Sequence, residues 1–192
     1  MSQQQKINIR NAVLILMIIA AAAMRLVSYK YQFLSNFTPV GAIAIFGGAY
    51  FNDKWKAYLV PFAALFVSDL VINYLYFSKL VWYTSSLWMY ASFFAMVFFG
   101  SLIKKVNFSN VILASLGGVI IHWLLTDIEP WLNGTLYSKG IMGYFESLAA
   151  AIPFEKNMIL GDLVFGLILF GGFEFAKSKY AVLRAQPTLA AA

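Results

Sequence analysis

Asp69 stands inside the apolar run from Val60 to Ile72. A charged side chain at bilayer depth costs at least about 2.5–3.5 kcal/mol, so such a carboxylate faces a bundle interior, a partner or a water-filled cavity. Arg25, Asn36, His122 and Asp162 interrupt other apolar stretches in the same way. A guanidinium and a carboxylate recognise polar groups, an amide both donates and accepts, and an imidazole can also bind a transition metal. Trp88, Tyr90 and Trp123 add flat apolar faces with one polar handle each, which suits stacking on a large ring. These residue types describe a binding site for a molecule of mixed polarity. Asp69 with His122 also makes an acid–base pair, the enzymatic reading of the same residues.

Each residue has a plainer reading as well. Arg25 can snorkel to an interface, and Asp69 can be its structural ion-pair partner. His122 is the one histidine of a chain without cysteine, so neither a second imidazole nor a thiolate supports it as a metal ligand, and packing with one hydrogen bond is the simpler role. Asp162 follows Gly161 near the expected start of the last helix, where a carboxylate complements the helix dipole. Trp82, Tyr83 and Trp131, with the aromatics named above, can form an interfacial belt.

The elements that must position these residues are membrane helices. The chain has 192 residues, 61% hydrophobic and 11% charged, with 18 Phe, 11 Tyr and 5 Trp. A mean hydropathy of +0.75 marks an all-α polytopic integral membrane protein of one domain, 1–192, with residues 186–192 as a flexible tail. Six apolar segments are predicted to be transmembrane helices: Asn11 to Val27, Pro39 to Phe51, Ala57 to Phe77, Trp82 to Ile103, Val111 to Ile128 and Asn157 to Ala176. The second is short for a roughly 30 Å core, so it must be tilted, broken or shielded by its neighbours. Its small residues Gly41, Ala42, Ala44, Gly47, Gly48 and Ala49 let other helices come close. Met1 to Arg10 followed by an apolar run resembles a signal peptide, but five further apolar segments favour its retention.

Charge sets the orientation. Lys6, Arg10, Lys54, Lys56, Lys104, Lys105, Lys177, Lys179 and Arg184 fall on one side of a six-helix arrangement, and Arg25, Lys30, Lys79, Lys139 and Lys156 on the other. The richer side is expected to be cytoplasmic and to hold both termini. Arg25, Asn36, Asp69, His122 and Asp162 then converge from five segments on the external half, which predicts an outward-facing polar cavity. The net charge of +6 is dispersed beside apolar runs and reads as topology, not as a nucleic-acid surface. No P-loop, H-E-x-x-H or G-x-S-x-G motif is present, so the chain lacks the residues for P-loop ATP hydrolysis, and no catalytic residue or metal site is assigned.

The stretch from Asn36 to Phe51, with Val60-Pro61 and Ser68-Asp69-Leu70, resembles a family of small bacterial membrane proteins. The later stretches Ala151 to Phe154, Gly161 to Leu163 and Phe170 to Glu174 fit the same pattern. The family is the substrate-binding S component of energy-coupling factor (ECF) transporters, in particular the solitary cobalamin-specific (BtuM-like) kind. The resemblance implies a six-helix, S-component-like fold with cytoplasmic termini, a vitamin or metal bound near the external surface, and docking on an ECF coupling protein that carries two ATPases. In the cobalamin-specific kind an aspartate on helix three, then a cysteine and a tyrosine before or within helix four, contribute to the corrinoid site. Asp69 and Tyr90 match the first and third; Ser85 and Ser86 stand where the cysteine is expected, and a hydroxyl is a poor cobalt ligand beside a thiolate.

The resulting expectation is a bacterial inner-membrane, multi-pass protein for vitamin uptake, not an enzyme, with cobalamin or a related corrinoid as leading substrate and no required cofactor. Its substrate-binding residues are Arg25, Asn36, Asp69, Ser85, Trp88, Tyr90, His122 and Trp123. The alternatives are a membrane enzyme acting on a lipid or bound vitamin, an uptake component for a different small molecule or metal, and a structural subunit without ligand.

Overall fold

A computed structural model describes residues 1–31, 36–80 and 85–185, and among these the chain is all-α without a strand. Helix α1, Gln3–Ala23, starts in a capping box: the Ser2 hydroxyl accepts the Gln5 amide and the Gln5 side chain accepts the Ser2 amide. The polar N-terminus is therefore the first two turns of the helix and not a flank, as Asn11 had suggested. Its buried residues Arg10, Leu14, Ile18 and Ala21 recur at helical spacing. Helix α2, Arg25–Lys30, follows directly after Met24.

Helix α3, Val40–Tyr50, is the short segment, and nine of its residues are buried, with Ala44, Ile45 and Phe46 fully enclosed. Shielding by neighbours is thus how eleven residues, about 16 Å of helix, are accommodated. Its glycines make this packing work. A Cβ on Gly48 would stand 2.1 Å from the Val97 carbonyl oxygen, and one on Gly100 would stand 2.3 Å from that of Ile45, so the backbones of α3 and of helix α5, Ser85–Ser101, touch through reciprocal glycines. Gly47 meets the ring of Pro61 inside α4, Lys54–Phe77, at 2.2 Å by the same measure. That proline is tolerated because its ring fills a slot against α3.

Helix α6, Phe108–Thr126, is capped by the Asn107 side chain accepting from the Asn110 amide at 2.8 Å, and α7, Ile128–Leu132, follows it. The sixth segment departs most from expectation. Helix α8, Ile141–Gly166, runs through a π-helical turn, Leu167–Gly171, into α9, Gly172–Lys179. The continuous rod of 39 residues is about 58 Å long and begins sixteen residues before Asn157. Pro153 hides inside it. Asp162 is consequently deep within the rod, not in a first turn. It serves another helix: Oδ1 accepts the Ala42 amide at 2.9 Å at the N-terminus of α3.

At the opposite end of α3 the buried Arg10 donates from Nη2 to the Tyr50 carbonyl at 2.6 Å, and the Tyr50 hydroxyl donates to Glu174 at 2.5 Å. Phe46, Tyr50, Phe170 and Phe173 form an aromatic cluster there, with ring centroids 4.6 Å apart for Tyr50 and Phe173. A 3₁₀ turn, Ala181–Arg184, closes the described chain with Leu183 buried. Four helical stretches, Gln3–Val27, Lys54–Phe77, Phe108–Leu132 and Ile141–Lys179, are long and apolar enough to cross a membrane, whereas α3 and Ser86–Ser101 are shorter. The exterior is apolar too, with Leu16, Val67, Leu113, Leu167 and Phe175 each more than half exposed, a surface that suits hydrocarbon. Among the described residues the six expected segments thus appear as four helices of spanning length and two shorter apolar ones. The expected tail, 186–192, lies outside the described residues.

Candidate functional site

Arg25 opens α2 and reaches across to α4. Its Nη2 lies 2.6 Å from Asp69 Oδ1, while Nη1 donates to Ser68 Oγ at 2.5 Å and to the Leu65 carbonyl at 3.2 Å. The second oxygen of Asp69 accepts the Tyr90 hydroxyl of α5 at 3.2 Å. The side chains of the pair are 12% and 19% exposed, so the ion pair is partly wet. Arg25 therefore does not snorkel away, and the ion-pair and ligand readings of Asp69 coincide at one wall. That wall borders a hollow of about 420 Å³ whose lining includes Asp69, Asn73, Tyr76, Ser86, Met89 and Tyr90.

A second hollow, of about 350 Å³, shares Ser86 and Met89 with the first and is also lined by Asn36, His122, Asp127 and Glu155. His122 lies on the last third of α6, and Thr126 one turn on donates its hydroxyl to the His122 carbonyl at 2.8 Å. Its Nδ1 approaches Glu155 Oε1 to 3.3 Å without hydrogen-bond alignment. Asp127 Oδ1 accepts the Ser147 hydroxyl at 3.3 Å. Asn36 holds a left-handed φ of 63°, which an asparagine tolerates, and its carbonyl accepts the Thr38 amide at 3.0 Å.

Of the five residues expected to converge, Asp69 lines the first hollow, with Arg25 behind it as its ion-pair partner, and Asn36 and His122 line the second; Tyr90 of α5 joins Asp69. Asp162 is in neither, being buried under α3. Trp123 donates from Nε1 to the Leu148 carbonyl at 2.9 Å and so locks α6 to α8 without lining either hollow. Trp88 is half-buried and lines neither. Ser85 opens α5, but its side chain is outside the described structure, as are Trp82 and Tyr83; Ser86 beside it is the serine that lines both hollows. Asp69 and His122 have different partners and line different, adjoining hollows. Among the described residues no group of three His, Asp or Glu side chains is arranged to hold a metal.

Glu155, Asp127, Asn73, Tyr76 and Met89 were missed. Glu155 follows the apolar run from Leu148 to Phe154, the same signal that singled out Asp69. The expectation of a loop before Asn157 concealed it.

Fold and site define an all-helical protein with four helices of membrane-spanning length and composition and a polar double hollow at one end. Residues 5–186 match a family of unknown function, DUF6580, and the chain belongs to that family. No curated protein matches it, and no solved structure does.

Proposed function

We propose that this chain is a membrane-embedded binding component that takes a small organic molecule in the double hollow and serves its uptake. The observation that carries the reading is the shared wall of Ser86 and Met89. On one side it borders an ion pair with a tyrosine, on the other a histidine with two carboxylates. Polar groups of this kind, set in hollows of roughly 300–1,000 Å³, are the usual make-up of a small-molecule site. The excess of basic residues at the far end supports an outward-facing site, cytoplasmic termini and an inner-membrane location.

The resemblance to S components adds a corrinoid as the first ligand to test and an ECF coupling protein with two ATPases as the partner to seek. A corrinoid is larger than a drug-sized ligand and requires both hollows as one. Asp69, Arg25 and Tyr90 would meet its polar periphery, with Asn36 and His122 on the far side.

The test is thermal unfolding of the purified chain against cyanocobalamin and a panel of other water-soluble vitamins, with mass spectrometry of what co-purifies from native membranes. A ligand present at 100 times its Kd adds about 2.7 kcal/mol to stability, an easily read rise in Tm. The expected result is a rise with at least one compound, released unchanged in mass. Chemical conversion would favour the membrane enzyme, and no rise with nothing co-purifying would favour the structural subunit.

A further inference from the structure

The hollow around His122 is short of positive charge. Two carboxylates line it, Asp127 and Glu155, and among the described residues no lysine or arginine does. Both are 7% exposed. Asp127 Oδ1 is taken by Ser147, and Glu155 Oε1 lies beside His122, but Glu155 Oε2 has no partner among the described residues. One imidazole supplies at most one positive charge to two carboxylates. Neighbouring cations are engaged or directed elsewhere: Lys156 is exposed outside the lining, and Lys139 Nζ donates to the carbonyls of Trp131, Leu132 and Gly134. A carboxylate oxygen buried without a donor is costly, so a protein that keeps one at the wall of a hollow has prepared it for a donor that arrives from outside.

The adjoining hollow makes no such demand. There Asp69 is answered by Arg25 on one oxygen and by Tyr90 on the other. The two ends of the site thus differ in the charge they ask of a ligand. Phe154 and Met89 complete the acidic hollow with an aromatic ring and a polarisable thioether, surfaces that receive organic cations well. A bare metal ion is the poorer fit, because among the described residues no three ligating side chains are arranged for one.

We infer that the molecule bound here carries an organic ammonium or amidinium group, and that Glu155, with Asp127 beside it, receives that group. This rests on the reading of the double hollow as a ligand site and names the ligand class for it.

The probes are 2-phenylethylammonium chloride and its neutral counterpart 2-phenylethanol, run on the full chain in detergent with cyanocobalamin in parallel. The ammonium compound raises Tm and the alcohol does not. Glu155→Gln weakens the ammonium compound at least tenfold, and Glu146→Gln, an exposed carboxylate of the same helix outside the lining, leaves its affinity unchanged. Should Glu155→Gln not fold, the ammonium–alcohol comparison in the wild type decides, with Asp127→Asn as second variant, expected to weaken the ammonium compound several-fold. Equal responses to ammonium and alcohol, or undiminished ammonium affinity in Glu155→Gln, overturn the inference. A response to cyanocobalamin with none to the ammonium compound overturns it while leaving the uptake reading standing; silence from all three overturns it too, and the uptake reading falls with it only when the vitamin panel is also silent and nothing co-purifies.

Discussion

Arg25 and Asp69 meet at 2.6 Å across the gap between α2 and α4, and the same guanidinium also binds Ser68 and the Leu65 carbonyl. The carboxylate is thereby fixed in direction before any ligand arrives, which removes part of the ordering cost of binding.

Breaking the pair from one side should be worse than removing it. Asp69→Leu leaves a half-buried guanidinium without its counter-charge and is expected to cost about 1–3 kcal/mol, below the full penalty of a buried pair because both side chains reach solvent. Arg25→Met with Asp69→Leu should recover more than half of that loss. A double-mutant cycle on unfolding in detergent measures it, and simple additivity would show that the two residues do not couple.

The glycine contact between α3 and α5 predicts a sharp contrast among alanine variants. Gly48→Ala and Gly100→Ala drive a methyl into a facing backbone and should each destabilise by about 2 kcal/mol or more. Gly117→Ala, whose methyl would first meet a Phe99 ring atom at 3.8 Å, should be neutral or stabilise by a few tenths to about 1 kcal/mol through helix propensity. Unfolding midpoints of the three purified variants decide, and equal behaviour would refute the close approach.

Asp162 should tolerate loss of charge but not loss of its acceptor. Asp162→Asn keeps an oxygen for the Ala42 amide and is expected to change stability by less than 1 kcal/mol, whereas Asp162→Ala uncaps α3 and should cost about 1–2 kcal/mol. A larger loss in Asn than in Ala would mean that the charge, not the hydrogen bond, is the reason for the residue.

Sidedness can be read directly because the chain contains no cysteine. Lys105→Cys is expected to be shielded from an impermeant maleimide in intact cells, and Leu136→Cys, at 86% exposure on the other end, to react. The reverse pattern would turn the double hollow toward the cytoplasm and end the outward-uptake reading.

What the sequence made legible was the cost of misplaced polarity. Asp69 and His122 stand out because an ionisable group in an apolar run demands a partner, and both partners exist. Nothing local reveals who they are: Arg25 lies 44 positions before Asp69, and Glu155 lies 33 after His122. The short α3 was recognisable by length, and its enclosure by its glycines. Helix α8 was not, because Pro153 and the charged Glu155 and Lys156 imitate a loop when periodicity alone is weighed. Misplacing that start carried Asp162 with it into a first turn it does not occupy. Trp123 misled in another way, since an indole that bridges two helices has the same composition signal as one that stacks on a ligand.

The two ends of α3 are secured by residues made at very different times. The Tyr50 carbonyl is held by Arg10, 40 positions earlier, so a first tie at that end can form as soon as the second segment leaves the ribosome, before Phe173 and Glu174 complete it. The amide of Ala42 must wait for Asp162, 120 positions later, which at synthesis rates of roughly 5–20 residues per second is about 6–24 s. For that interval the central helix of the bundle is a tethered but unfinished insertion, its leading amides open to whatever chaperone or water is at hand. The last long helix is then both the wall of the site and the event that completes assembly, and a chain truncated before it should be recognised by the cell as incomplete however well the helices before it insert.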